Sequence, residues 1–332
     1  MLNDKSILVT GGTGSFGQKF VKTVLEKYRP RRVIIYSRDE WKQSEMQKDK
    51  DFTQGQVRFF LGDVRDKERL CLAMRGVDYV IHAAALKQVP AAEYNPHEFI
   101  KTNVDGATNV VEASLLAGVK KVIALSTDKA VNPVNLYGAT KLCSDKVFVA
   151  ANSYAGDAGT IFSVVRYGNV VGSRGSVVPL FANQRESGSL TITNPEMTRF
   201  LITLKEGVDF VLQCLEQMVG GELYVPKIPA CTVGKIANVI APKCSWNTIG
   251  LRPGEKMHEI LIPEDEAKNV LEFDNHYVIQ PIQSFWGNKI GILGGVSCSE
   301  GFRYASNCNC EKFSSEELNE LLADFLPHSK LG

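Results

Sequence analysis

Short apolar, β-rich runs alternate with helix-compatible stretches through the first half of the chain. The runs are Ser6 to Thr10, Val33 to Ser37, Val57 to Leu61, Tyr79 to Ala83, Val122 to Ser126 and Phe162 to Arg166. Strand followed by helix, repeated in this way, predicts an α/β fold with a doubly wound parallel sheet, which places ligands at the carboxyl ends of its strands. Beyond Gly168 the alternation loosens. Gly and Pro crowd 172–179, 194–195, 226–229 and 252–254, punctuation that fits a smaller, loop-rich region capping a substrate. The division expected is a dinucleotide-binding domain over 1–170, with a return segment near 203–225, and a mainly substrate-binding region over 171–332. Near the end, Ser314 and Glu317 form a capping-box signature, and Leu318, Leu321, Leu322 and Phe325 share one face of the helix they open.

Composition narrows the class without choosing a function. The chain has 332 residues, 44% hydrophobic and 23% charged, enough for a large core and roughly two domains. A net charge of +1 predicts no strong attraction to nucleic acid or an anionic membrane. Met1 to Lys5 lacks a basic segment followed by an apolar stretch, and no run approaches the ~18 apolar residues of a membrane span. A cytoplasmic protein is expected. The eight cysteines, at 71, 143, 214, 231, 244, 298, 308 and 310, include no C-x-x-C pair and are expected as free thiols. Cys298, Cys308 and Cys310 have no fourth ligand at usable spacing, since His276 is remote, so no metal is expected.

The first chemistry lies in "ILVTGGTGSFGQKF". A β-run ends at Thr10, glycines fall at Gly11, Gly14 and Gly17, and a helix-compatible stretch follows. That is the Rossmann-type arrangement for turning the backbone tightly and setting a dinucleotide pyrophosphate on a helix N-terminus. Thr13, Ser15 and Phe16 belong to the same loop. The second strand ends "YSRDE", with Ser37 and Arg38 where an NAD enzyme usually carries an acid; Arg38 can grip a 2′-phosphate bidentately, so NADP is the preferred cofactor. Asp39, one residue on, keeps NAD open. Asp63 and Val64 follow the third strand and lie beside the adenine. The small residues Ala83 and Ala84 let the cofactor lie against the fourth strand, while His82 is either a packed histidine or a contact.

In "VIALSTDKAVNPVNLYGATK", Tyr137 and Lys141 stand four apart, on one face of a helix. A lysine ammonium there can bind a nicotinamide ribose and favour the phenolate of a general base. Thr127, Asp128 and Lys129 precede them at the end of the fifth strand.

These features together resemble the extended short-chain dehydrogenase/reductase superfamily. Within it, "STDKAVNP" followed by "LYGATK", with "HAAALKQVPAAEYNP", "YGNVVGSRGSVVP", "PEMTRF" and "RPGEKMHE", is similar to the inverting UDP-N-acetylglucosamine 4,6-dehydratases that begin the bacterial path to pseudaminic acid, used in flagellin glycosylation. Glucose-type dehydratases of the superfamily read Thr-Asp-Glu where this chain has Thr127-Asp128-Lys129. The resemblance implies that Thr127 hydrogen-bonds the reacting 4-hydroxyl while Tyr137 removes its proton and hydride passes from C4 to NADP. Lys129, neutral through desolvation and the nearby positive charges, then takes the C5 proton, and Asp128, held protonated, donates to the departing 6-hydroxyl. Hydride returns to C6 and a proton to the opposite face of C5, from Lys129 or Tyr137. It also implies substrate contacts from Lys87, Asn169, Arg174, Glu196, Arg199, Arg252 and Glu255, with Lys256 nearby, and a homo-oligomer, dimer or hexamer. Two other readings remain: an epimerase or reductase on the same scaffold, against which Lys129 speaks, and a non-catalytic NADP binder, against which Tyr137 and Lys141 speak.

Overall fold

The computed structural model describes residues 1–156, 159–173, 175–281, 294–308 and 312–326. In chain order the strands are β1 (Ser6–Thr10), β2 (Arg32–Ser37), β3 (Val57–Leu61), β4 (Tyr79–His82), β5 (Lys121–Thr127), β6 (Ile161–Tyr167), β7 (Asn169–Val170), β8 (Ser189–Ile192), β9 (Thr198–Ile202), β10 (Leu223–Pro226), β11 (Ala230–Thr232), β12 (Ser245–Thr248), β13 (Ile260–Ile262), β14 (Val270–Glu272), β15 (His276–Ile279), β16 (Val296–Ser297) and β17 (Tyr304–Ala305).

The main sheet runs β16-β14-β15-β10-β6-β5-β4-β1-β2-β3. From β3 to β10 every neighbour is parallel. The core order 3-2-1-4-5-6 is that of the doubly wound dinucleotide fold, and the order reverses beside β1. Both faces are covered, so β1 is buried along its whole length. Helices Ser15–Lys27 and Leu204–Gln217 pack together, while Lys67–Ala73, Gly106–Ala117 and Leu136–Ala151 lie side by side as a second layer.

The second half of the chain is more evenly shared than its punctuation predicts. Helix Leu204–Gln217 and β10 extend the main sheet, and so do β15, β14 and β16, joined antiparallel at its edge. What remains is a smaller unit with its own core. Val178, Phe181, Leu190, Ile192, Met197, Leu201, Ile236 and Ile240 are buried there, with Leu318 and Leu322 of the last helix. That helix, Ser315–Leu321, carries the full Ser314–Glu317 capping box. No helix among the described residues is long and apolar enough to cross a membrane. Nor does any group of three or more His, Cys, Asp or Glu among them offer a metal site; Arg174 and Cys310 lie outside the described residues.

One boundary matters for chemistry. β5 continues one residue past Ser126, because Thr127 stays in register with Tyr167 of β6. The chain then tightens at once into the 3-10 turn Asp128–Ala130. The side chains of Thr127, Asp128 and Lys129 therefore leave the sheet at a fixed point.

Candidate active site

The carboxyl ends of β1, β2, β4, β5 and β6 open onto one cleft of about 610 Å³. At its nucleotide end the glycines are sterically required. Gly11 has φ +65°, and a Cβ there would lie 2.8 Å from the Ala84 nitrogen. At Gly17 a Cβ would come 2.5 Å from the Gly12 Cα. Gly14 starts helix Ser15–Lys27 with no side-chain cap, so the first N–H groups and the positive end of the helix dipole are left for an anion. Thr13, Ser15, Phe16, Val64, Ala83 and Ala84 line the same walls. A backbone cradle with small residues opposite fits a pyrophosphate-bridged dinucleotide. His82 is a packed residue: its Nδ1 is 2.9 Å from Thr10 Oγ1, and burial, with a smaller push from Lys141, lowers its pKa to about 3.

The end of β2 carries cations that the cleft can use. Ser37 Oγ meets Thr13 Oγ1 at 2.8 Å. Arg38 is half exposed, with Nη1 3.4 Å from Asp63 Oδ2. The Asp39 carboxylate is already engaged: it accepts the Lys42 N–H at 2.9 Å as the N-cap of helix Glu40–Gln47 and pairs with the Lys42 ammonium at 2.5 Å. Lys42 lines the cleft beside Arg38 and Asp39.

The reaction end is assembled by helix contact. Asn135 caps helix Leu136–Ala151, accepting the Gly138 N–H at 2.7 Å and donating to the Gly254 carbonyl at 2.8 Å. A Cβ at Gly138 would lie 2.1 Å from the Lys129 carbonyl oxygen. Glycine there lets the helix rest directly on the Asp128–Ala130 turn, and Tyr137 joins Thr127 and Lys129 in lining the cleft. Thr127 Oγ1 donates to Asp128 Oδ1 at 2.9 Å, and Lys129 Nζ donates to the same oxygen at 2.9 Å. Lys141 is buried and donates to the Leu125 carbonyl at 2.8 Å. From the other side, Asn103 accepts the Leu86 N–H at 2.9 Å and donates to Leu86 O and Thr140 Oγ1 at 2.9 and 3.0 Å. It thus ties the cleft wall to helix Leu136–Ala151 from within a π-helical turn, Lys101–Asp105.

Electrostatics depart from the sequence expectation at two residues. Burial pushes the Tyr137 phenol up to about 12, and what opposes it is the Lys129 charge and the Thr127 hydrogen bond rather than Lys141. The Lys141 amine is directed to the Leu125 carbonyl, and burial lowers its own pKa, partly offset by Asp145. Burial also pulls Lys129 down, as expected, but Asp128 and Glu259 outweigh it and hold the amine above its ordinary range. Sequence spacing could show Asp128 beside Lys129. It could not show Glu259, whose Oε1 is 3.9 Å from Lys129 Nζ.

Of the proposed substrate residues, Lys87 and Asn169 line the cleft. Glu196, Arg199, Arg252 and Glu255 do not. Arg199 instead donates to the Thr198, Met257 and Lys256 carbonyls at 2.8, 3.2 and 3.0 Å and stands 3.7 Å from Glu259. Glu255 accepts the Arg252 N–H at 3.2 Å within its own turn. Sequence reasoning passed over Lys42, Asn103, Tyr167 and Glu259; Lys42 alone had a local signal, standing three residues after the Asp39 cap.

Over residues 7–281 the sequence matches the family described as polysaccharide biosynthesis protein. It is 54% identical over 330 residues to a UDP-N-acetylglucosamine 4,6-dehydratase (inverting) of Campylobacter jejuni, covering 97% of this chain and 98% of that one. A UDP-glucose 4-epimerase of Rickettsia bellii is 44% identical, with 97% and 96% covered. The X-ray structure of Pen from Bacillus thuringiensis superposes with a TM-score of 0.89 at 35% identity over 98% of both chains. A parallel-sheet cradle, the Thr-Asp-Lys turn under Tyr137 and matches of this extent agree, and the chain belongs to the polysaccharide biosynthesis protein family, among its inverting UDP-N-acetylglucosamine 4,6-dehydratases.

Proposed function

We propose that this protein dehydrates UDP-N-acetylglucosamine across C4 to C6 with inversion at C5, giving a UDP-2-acetamido-2,6-dideoxy-4-keto-hexose, with NADP as its dinucleotide. The observation that carries the reading is the meeting of a phenol, a hydroxyl, a carboxyl and an amine, Tyr137, Thr127, Asp128 and Lys129, at the end of β5. Gly11, Thr13, Gly14, Ser15, Phe16 and Gly17 hold the pyrophosphate side, with Val64, Ala83 and Ala84 against the rings. A bound nicotinamide dinucleotide supplies the hydride acceptor for C4 and the donor for C6.

The side chains handle the protons. Tyr137 takes the proton of the 4-hydroxyl as C4 becomes a ketone. The ketone acidifies C5, so the Lys129 amine can take that proton while the C–H electron pair moves into an enolate. Asp128, fully buried behind Thr127 and Lys129 rather than on the cleft wall, supplies the proton for the departing 6-hydroxyl through the Thr127 hydroxyl that it bonds, and the 6-hydroxyl leaves as water. Tyr137, which carries the proton taken from the 4-hydroxyl, returns one to C5 from the opposite face, since an amine held on one face cannot serve both, and one water is the net loss. Arg38 and Lys42 support NADP over NAD, since Asp39, the acid that follows Arg38, is held by its own helix. The Rickettsia relative is named an epimerase, but exchange at C4 needs no C5 base, so Lys129 on the cleft wall favours dehydration.

The setting that accompanies this reading is cytoplasmic synthesis of pseudaminic acid for flagellin glycosylation by a homo-oligomer, dimer or hexamer. The test is incubation of the purified protein with UDP-N-acetylglucosamine, no reductant added, and mass spectrometry of the sugar nucleotide. Loss of one water supports dehydration. A product of unchanged mass with C4 epimerised overturns it in favour of the epimerase.

A further inference from the structure

Glu259 has no place in the scheme above, yet its position is expensive. Its backbone, just before β13, is clamped on both sides by Ser306: Glu259 N donates to Ser306 Oγ at 2.9 Å, and Ser306 N donates to Glu259 O at 2.8 Å. The side chain is 3% exposed. Oε1 lies between Lys129 Nζ at 3.9 Å and Arg199 Nε at 3.7 Å, and Oε2 is buried without a hydrogen-bond partner among the described residues. A buried carboxylate with an unsatisfied oxygen is a standing cost that an apolar or amide side chain avoids. A fold under no other demand has no use for it there.

The cost makes sense at Lys129. This residue must hold its amine at one point of the cleft wall, and it must lose a proton before it can act as a base. We propose that Glu259 is a positioning residue for Lys129: it fixes the amine against Asp128 and sets the charge state from which the C5 base is generated. The inference rests on the dehydratase reading of the same site. Two carboxyl groups, Asp128 at 2.9 Å and Glu259 at 3.9 Å, share one lysine. Each has one oxygen buried and unpartnered among the described residues, Asp128 Oδ2 and Glu259 Oε2, so the cluster has acceptor capacity for the proton that Lys129 gives up. The other charged or titratable groups facing it are Arg199 from β9, Lys256 from the loop before β13, Tyr137 from the catalytic helix and Lys87 from the loop after β4. All but Tyr137 are cations, and none replaces the anion lost on neutralising Glu259.

The sign follows from the charge. Glu259 favours the ammonium form of Lys129, so its removal lowers the pH at which the neutral amine appears. The measurement is deuterium entry at C5 during turnover of UDP-N-acetylglucosamine in deuterium oxide, followed from about pH 7 to 12 so that the range extends above an ordinary lysine. In Glu259→Gln the midpoint of the rising limb moves down by about one to three pH units, the range for one charge near 4 Å in a partly screened site. KM for the sugar nucleotide changes less than about twofold, since Glu259 does not line the cleft. Should Glu259→Gln not fold, Glu259→Asp carries the test: it draws the carboxylate back by one methylene and moves the midpoint the same way by less. A midpoint unmoved in whichever variant folds overturns the inference and leaves Glu259 as a structural partner of Arg199. No C5 exchange in the unmodified protein overturns the dehydratase reading itself, and this inference with it.

Discussion

At the nucleotide end of the cleft the chain works by leaving side chains out; at the reaction end it works by burying charges together. Gly11 and Gly17 are places where a single methyl group collides with backbone. Asp128, Lys129, Glu259 and Arg199 are ions brought together from three separate parts of the chain. The first arrangement needs about seven consecutive residues and one strand-helix junction. The second exists only after β9, β13 and the Asp128–Ala130 turn have packed. The difference is one of failure modes: the cradle should fail by excluding its ligand, and the cluster by mishandling protons while still binding.

The largest expected effect belongs to the cluster. Lys129→Ala should slow C5 deuterium entry by about a hundred- to ten-thousandfold, the usual cost of a general base, with cofactor affinity unchanged. Mass spectrometry in deuterium oxide and calorimetric titration of the dinucleotide report the two halves separately, and a parallel fall in affinity breaks the comparison. Gly17→Ala should do the converse. Overpacking typically costs about 1–3 kcal/mol, so dinucleotide binding should weaken by up to about a hundredfold, while protein saturated with cofactor keeps its C5 exchange rate. Arg38→Ala is a milder cradle change. The guanidinium is half exposed, so NADP affinity should fall by about tenfold with NAD affinity nearly constant, as calorimetry of both cofactors would show; equal losses for the two would remove the NADP assignment.

The smallest effect tests what happens to a buried titratable group without the cluster's partners. His82 has only Thr10 at its Nδ1, and its pKa falls from an ordinary 6.5 to about 3. Below pH 6.5 the unfolded chain binds a proton that the folded one refuses, so stability is complete above that pH and declines as pH drops towards 3. His82→Gln should therefore lose a few degrees less of Tm than the unmodified protein between pH 7.5 and 5. Identical losses would mean that His82 takes up its proton without resistance.

How much of this could be read beforehand follows the same divide. The six parallel strands, the glycine loop and the Tyr137–Lys141 spacing are local patterns, and each run was visible within a residue or so of its final ends. The extension of β5 to Thr127 was not, because it depends on pairing with Tyr167. The charge environments of Tyr137 and Lys129 are not legible in sequence for a related reason. Spacing put Lys141 on the tyrosine's face, but the amine's hydrogen bond goes to Leu125, and Glu259 reaches Lys129 across 130 positions of sequence. Arg199 reads from sequence as a free cation for a diphosphate because two of its three carbonyl partners, Lys256 and Met257, belong to a loop that only folding brings alongside.

The half-exposed Arg38 and Lys42, 49% and 43% accessible as side chains, have a consequence for how the protein meets its surroundings. Mobile ions reach these two cations but not Asp128 or Glu259, whose side chains are 0% and 4% accessible. If the dinucleotide is NADP as proposed, added potassium chloride should thus loosen the grip on its 2′-phosphate while leaving turnover at full occupancy untouched. On that reading ionic strength becomes an occupancy control, felt through the dinucleotide.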